Sequence, residues 1–223
     1  MNQPIVIAID GPVASGKTAV GRLLAQRLGY KFLDTGLLYR AITLLALESG
    51  LDLSDEQSLV EMANPLPFEV SFDDAGEVSL FASGRDIVPY VHSPEVAEAT
   101  SRVAVVLGVR MALLALQRQV AEDGRVVMVG RDIGTVVVPE ASFKLYLTAS
   151  SEERTRRRYQ EFLNQGRSVE YREVQEQLIQ RDYRDEKRAV APLRQAKDAK
   201  LLKTDGLSET EAVQCIVELL ENP

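Results

Sequence analysis

The sequence predicts an α/β protein: one parallel sheet with helices on both faces, interrupted by a small antiparallel insertion and a helical lid. Three observations carry that reading. Short apolar runs alternate with helix-patterned stretches, as in consecutive βα units. The alternation breaks between about 65 and 92, where a hairpin pattern intrudes. Two polar, Arg-rich helical stretches then occupy about 151–188, before a last short strand. The 223 residues suit one α/β domain with insertions, or two small ones. The expected division is a core of about 1–64, 93–150 and 189–223, an insertion at about 65–92 and a lid at about 151–188.

In order, Ile5-Val-Ile-Ala-Ile9 reads as a buried strand and 16–28 as a helix that Gly29 ends in a left-handed cap. Lys31–Asp34 is a strand and Leu37–Ser49 a helix stopped by Gly50. Ser54 and Gln57 resemble a capping box for a helix over Asp55–Met62. Phe68–Phe72, the turn Asp73–Gly76 and Val78–Phe81 form a hairpin signal, with Arg85–Val88 as a third strand. Ser93-Pro94 starts a helix that reaches Val106; Gly108 breaks it, and Val109–Ala121 continues to Gly124. Val126–Val129 and Phe143–Leu147 are apolar runs of the kind that central parallel strands show. Helices over Glu152–Asn164 and Tyr171–Lys187 flank Gly166; Leu201-Leu202 lies in the last strand, and Ser208 caps a helix to Leu220.

The stretch Gly11-Pro12-Val13-Ala14-Ser15-Gly16-Lys17-Thr18, followed by Ala19, fits the pattern Gly, four residues, Gly, Lys, Ser or Thr. It lies between a predicted strand and a predicted helix, the context in which this pattern holds phosphate. Its backbone N–H groups can turn inward as a nest, and the helix adds its positive end. Lys17 can reach the outer phosphates, and the Thr18 hydroxyl can take a Mg2+ position beside a nucleotide. The architecture is therefore a P-loop NTPase core. In open parallel sheets ligands sit beyond the C-terminal strand ends, a rule that gathers the loop, Asp34-Thr35 and Arg131-Asp132 on one rim.

Bulk properties exclude several classes. A net charge of −7 argues against coating nucleic acid, which needs clustered cations. No run of eighteen apolar residues exists, so no membrane span is expected. The first strand follows the N-terminus at once, which leaves no room for a signal peptide. One Cys (Cys215) and one His (His92) exclude an internal disulfide and a Cys/His zinc site; a reducing cytoplasm suits this usage. Cys215 reads as core of the last helix and His92 as loop.

Positive charge is nevertheless concentrated. Residues 151–197 hold twelve of the 26 basic side chains, among them Arg154, Arg157, Arg158, Arg181, Arg184 and Arg188. Phosphoryl transfer depends on positioning and on charge around the migrating group, which favours a mobile lid hinged at Gly166. Nine acidic residues share the segment, so a solvated, salt-bridged helix pair is the competing reading. Arg154, Arg157 and Arg158 are the candidates for the transferring phosphoryl by helical spacing. Asp34 either holds a magnesium-bound water or acceptor, or simply caps the next helix. Arg131 and Asp132 suit an acceptor pocket, with Arg for a phosphate and Asp for an amino group; a plain salt bridge is the alternative.

The chain resembles bacterial cytidylate kinases from end to end. The resemblance lies in Ile9-Asp-Gly-Pro12, Leu33-Asp-Thr-Gly36 with Tyr39-Arg40, Glu95-Val-Ala97 through Ser101, Val109-Arg110, and Gly130-Arg-Asp-Ile-Gly-Thr-Val136. It continues through Ala149-Ser-Ser-Glu-Glu-Arg154 and Arg181-Asp182 to Arg188-Ala-Val-Ala-Pro-Leu193. It implies transfer from ATP to CMP or dCMP with Mg2+ in pyrimidine nucleotide metabolism, by a cytoplasmic monomer. The insertion would be the nucleoside-monophosphate (NMP)-binding subdomain. Ser101, Arg110 and Asp132 would contact cytosine, Arg181 and Asp185 the ribose, and Arg40, Arg131 and Arg188 the monophosphate, with Thr35 nearby. Lys17, Arg131, Arg188 and Asp34 would serve the transfer itself. No general base is expected, because the acceptor phosphate is already a competent nucleophile. The alternatives are a kinase for UMP, AMP or shikimate, or a nucleotide switch.

Overall fold

The computed structural model describes residues 6–221; Ile5 of the first predicted strand lies outside them. Five parallel strands form the central sheet: β1 (Val6–Asp10), β2 (Lys31–Asp34), β6 (Val126–Gly130), β7 (Phe143–Thr148) and β8 (Lys200–Lys203). Their order is β2-β6-β1-β7-β8. Since β1 lies between strands reached by crossovers in opposite directions, its C-terminal end is the topological switch point where such sheets bind ligands.

Side-chain alternation along the strands builds two cores. Val6, Ala8, Leu33, Val126 and Met128 point into one. It is covered by α2 (Thr35–Glu48), α3 (Glu56–Ala63), α4 (Pro94–Val103) and α5 (Leu107–Glu122). Ile7, Ile9, Phe32, Val127 and Val129 point into the other, beneath α1 (Lys17–Leu28) and α8 (Glu209–Glu221). All five residues of β1 are buried, as a central strand covered on both faces requires.

The insertion is a three-stranded antiparallel sheet, β3 (Glu69–Phe72), β4 (Val78–Ala82) and β5 (Arg85–Asp86). It has no separate core: Phe68, Leu80, Ala82 and Ile87 pack into the first cluster. Its turn also hooks the sheet edge, because Phe32 N–H donates to the Gly76 carbonyl at 2.9 Å. The predicted third strand shortens to two residues, and Asp86 then accepts Val88 N–H in a turn.

Three local expectations change. Gly108 does not break a helix: the corner falls at Ala104–Val106, and Gly108 lies inside α5. A Cβ there would come within 2.4 Å of Val60 Cγ2, so the glycine lets α5 approach α3. The cap of α3 is Asp55, whose carboxylate accepts Ser58 N–H, rather than Ser54. Cys215 is only half-buried, because it sits at the margin of the α8 stripe formed by Ala212, Val213 and Ile216. Other capping expectations hold: Ser93 caps α4 with Pro94 in its first turn, and Ser208 and Glu211 form a reciprocal box at α8.

The Arg-rich segment forms α6 (Ser151–Asn164) and α7 (Tyr171–Lys187), with Gly166 at φ 72° between them. Phe162, Val174 and Leu178 make a small core that rests on Val13 and Ala14 of the glycine loop. Among the described residues, no single helix is long and apolar enough to cross a membrane.

Candidate active site

The loop between β1 and α1 turns sharply over the sheet. Ala14 (φ 57°) and Gly16 (φ 90°) are both left-handed, and Gly16 is the residue type that adopts this without strain. Gly11 lies against the Leu147 carbonyl, leaving no space for a side chain. Pro12 is buried, while Val13 and Ala14 carry the lid helices. The buried Ser15 hydroxyl lacks a hydrogen-bond partner. Lys17 is buried and donates to the Pro12 carbonyl at 2.9 Å. Burial, with Arg131 nearby, pushes its ammonium well below the usual lysine range, although Asp34 opposes this. Ala19 is half-buried in the first turn of α1.

Asp34 caps the next helix, one of its two sequence readings, and also bonds the loop. Oδ1 accepts Gly36 N–H at 2.9 Å and caps α2; Oδ2 accepts the Thr18 hydroxyl at 2.8 Å. Two hard oxygen groups thus meet at the exposed edge of the loop, a donor set suited to Mg2+. No cluster of three or more His, Cys, Asp or Glu side chains able to hold a metal occurs among the described residues. A cation there needs nucleotide phosphates as further ligands. Thr35 is tied down differently, its buried hydroxyl donating to the Val129 carbonyl at 3.0 Å.

Past β6, Arg131 and Asp132 begin two charge clusters. Asp132 is buried and accepts from Arg110 (2.5 Å) and Arg188 (3.0 Å). Arg110 also lies over the Tyr39 ring, 5.5 Å from its centroid. Arg131 Nε pairs with Asp185 at 2.7 Å. Burial would raise the Asp185 carboxyl, but Arg131, then Arg181 and Arg188, override it and hold it below the usual range. Burial lowers Arg188 despite Asp132, and lowers Arg40 despite Asp34. Arg40 reaches the Val91 carbonyl at 3.4 Å.

Arg181 stands apart. Its Nε is buried without a hydrogen-bond partner, and burial plus the neighbouring Arg131 bring its pKa down to about 10. It lines a cleft of about 360 Å³ between α6, α7 and α4, together with Ser101, Arg158 and Arg184. Arg184 touches the Ser101 hydroxyl at 3.4 Å. The three lid arginines proposed from helical spacing separate here. Arg154 is buried against Asp182 and the Val13 carbonyl. Arg157 donates to the Ser15 and Thr204 carbonyls. Arg158, stacked on Phe162, faces the cleft. The salt-bridged reading describes the outer faces, where Arg156 pairs with Glu153 and Arg172 with Glu176.

Two features escaped the sequence reading. A single π-helical turn, Ile133–Val137, follows Asp132. Asp10 holds that turn through the Ile133 and Gly134 amides, at 2.8 Å each. A charged residue closing an otherwise apolar strand was the available signal.

The cytidylate kinase family matches residues 7–222. The cytidylate kinase of Carboxydothermus hydrogenoformans is 42% identical over 214 residues, covering 96% of each chain. That of Herpetosiphon aurantiacus is 45% identical over 223 residues, 99% of this chain and 96% of the relative. Among solved structures, the shikimate kinase of Bacteroides thetaiotaomicron superposes with a TM-score of 0.51 at 18% identity, over 97% of this chain and 98% of that one. At that identity the likeness is one of fold. A family match across nearly the whole chain, with relatives above 40% identity, assigns this one: it belongs to the cytidylate kinase family.

Proposed function

We propose that this protein transfers the γ-phosphoryl of ATP to CMP or dCMP, giving ADP and CDP or dCDP. The observation that carries the reading is the Arg110–Asp132–Arg188 cluster, set beyond β6 on the same rim as the glycine loop. Asp132 can accept the cytosine amino group and Arg110 can donate to the ring acceptors. UMP offers a carbonyl where CMP has its amino group, which faces a carboxylate unfavourably.

The donor side is the loop Gly11–Ala19, its amides and Lys17 cradling the phosphates. Thr18 and Asp34 fit Mg2+, which when bound neutralises phosphate charge. On the acceptor side, Arg40, Arg131 and Arg188 hold the monophosphate, Thr35 lies nearby, Ser101 adds a base contact, and Arg181 and Asp185 face the ribose. A CMP phosphate oxygen then forms the new bond to the γ-phosphorus as the bond to the β–γ bridging oxygen breaks. Lys17, Arg131 and Arg188 stabilise the charge that spreads over the moving group, and Asp34 orients Thr18. No proton needs to be removed from the acceptor phosphate first.

The segments divide as core (1–64, 93–150, 189–223), NMP-binding insertion (65–92) and lid (151–188), with the lid closing to exclude water from the transfer. The protein acts as a cytoplasmic monomer. Acceptor-dependent ADP release with CMP, dCMP, UMP, AMP and shikimate at equal concentration tests the reading. CMP and dCMP should dominate. ADP release that CMP does not accelerate would point to a nucleotide switch and overturn it.

A further inference from the structure

Asp10 is the last residue of β1 and the one directly before Gly11. It is 3% exposed, and each carboxylate oxygen accepts one amide, Ile133 N–H and Gly134 N–H. Those amides begin the π turn directly after Arg131 and Asp132. Asp10 is also in register with Gly130 on β6 and Tyr146 on β7. Its backbone thus belongs to the donor loop, while its side chain holds the backbone of the acceptor dipeptide.

The turn is confined from its other side. A Cβ on Gly134 would lie 3.2 Å from Lys144 Cδ and 3.5 Å from Asp10 Oδ2. Lys144 is itself fixed by the Pro139 carbonyl and by Asp198. Only a carboxylate offers two adjacent acceptors on so short a stem; asparagine would set an NH2 against one of the two amides. Burial disfavours the ionised form, and nearby Asp132 disfavours it further, so the pKa rises to about 6 even though both amides and Lys17 oppose the shift. Strand pairing in β1 uses backbone groups and needs no charge at this place.

We propose that Asp10 is a positioning residue for the acceptor: it locks the turn after Arg131-Asp132 to the phosphate loop, fixing the acceptor-binding groups relative to the bound donor. It touches neither nucleotide. The inference rests on the CMP reading, and a wild-type assay run alongside separates the two. Wild-type protein that does not phosphorylate CMP defeats that reading; wild-type activity with unaffected variants defeats this one.

The test uses Asp10→Asn, which turns one acceptor into a donor, and Gly134→Ala, whose Cβ presses on Lys144 Cδ and meets the Asp10 carboxylate across the turn. Both should fold, as read by circular dichroism, and keep the KM for ATP within about twofold. Both should raise the KM for CMP about tenfold or more and shrink the CMP-over-UMP preference, the scale expected for losing a buried hydrogen bond to a charged group. Wild-type CMP parameters in folded Asp10→Asn would overturn the proposal. So would an equal loss toward ATP and CMP with base preference intact, or failure of both variants to fold, each of which assigns Asp10 to the fold alone.

Discussion

The Thr18 hydroxyl and the Asp34 carboxylate meet at 2.8 Å across the mouth of the phosphate loop, while the other Asp34 oxygen caps α2. One side chain therefore bonds both the candidate site and the helix it caps. Asp34→Asn separates the two roles, because asparagine caps helices as well as aspartate does. The variant should unfold within about 0.5 kcal/mol of the wild type. Its activity should fall about tenfold or more and require a higher Mg2+ concentration. Magnesium titrations of the initial rate, with thermal melts, check both halves; an unchanged titration would leave Asp34 as a cap.

Lys17→Met keeps the apolar stem and removes the ammonium. Burial already disfavours that ammonium in the unliganded protein, so the variant should retain or gain stability. Its kcat should drop by about a thousandfold, the loss typical of removing a charge that stabilises the transferring group. Thermal melts and steady-state kinetics measure the two opposite signs.

Asp132→Ala leaves the Arg110 and Arg188 guanidiniums without their buried partner. The destabilisation should be about 3 kcal/mol, because the cost is that of uncompensated buried charge. The CMP-over-UMP preference should collapse at the same time. If the preference survived in folded protein, Asp132 would not read the base.

Arg181→Met should move stability and function in opposite directions. Arg181 is half-buried, its Nε is buried without a hydrogen-bond partner, and Arg131 repels it. Replacing it should stabilise the fold by about 1 kcal/mol or more. The KM for CMP should rise at least about tenfold through the lost contact. Melting curves with and without CMP report both effects.

Asp10 sets a pH slope. Its folded pKa of about 6 exceeds the ordinary aspartate value of 3.8. Between those values the native state holds a proton that the unfolded chain has released. Stability relative to Asp10→Asn therefore declines as pH rises from about 4 to about 6 and is flat above. The full change is on the order of 3 kcal/mol. Paired denaturant unfolding curves across that range measure it, and parallel curves for the two proteins would contradict it.

Much of this molecule was legible in the chain itself. The alternation of apolar runs and helical stretches determined the parallel sheet, because strands buried on both faces must be apolar throughout. The eight-residue loop, by its glycines and by Lys17 and Thr18, marked the turn between β1 and α1 as the candidate phosphate site. Local capping chemistry was readable at Ser93 and Ser208, where the side chain bonds its own helix, and was misplaced by one residue at Asp55.

What the sequence left open depends on contacts between distant segments. Gly108 looked like a breaker because nothing nearby reveals Val60 against it. Asp34 had two readings, and only the approach of α1 to β2 showed one carboxylate both capping α2 and meeting the Thr18 hydroxyl. Arg154, Arg157 and Arg158 shared a helical spacing, yet the tertiary structure sent Arg154 and Arg157 to backbone carbonyls and left Arg158 facing the cleft. The Asp10 clamp spans 123 positions. Periodicity reports which face of an element is buried; only the folded chain decides which charge meets which, because Coulomb and hydrogen-bond energies depend on distances in space rather than along the sequence.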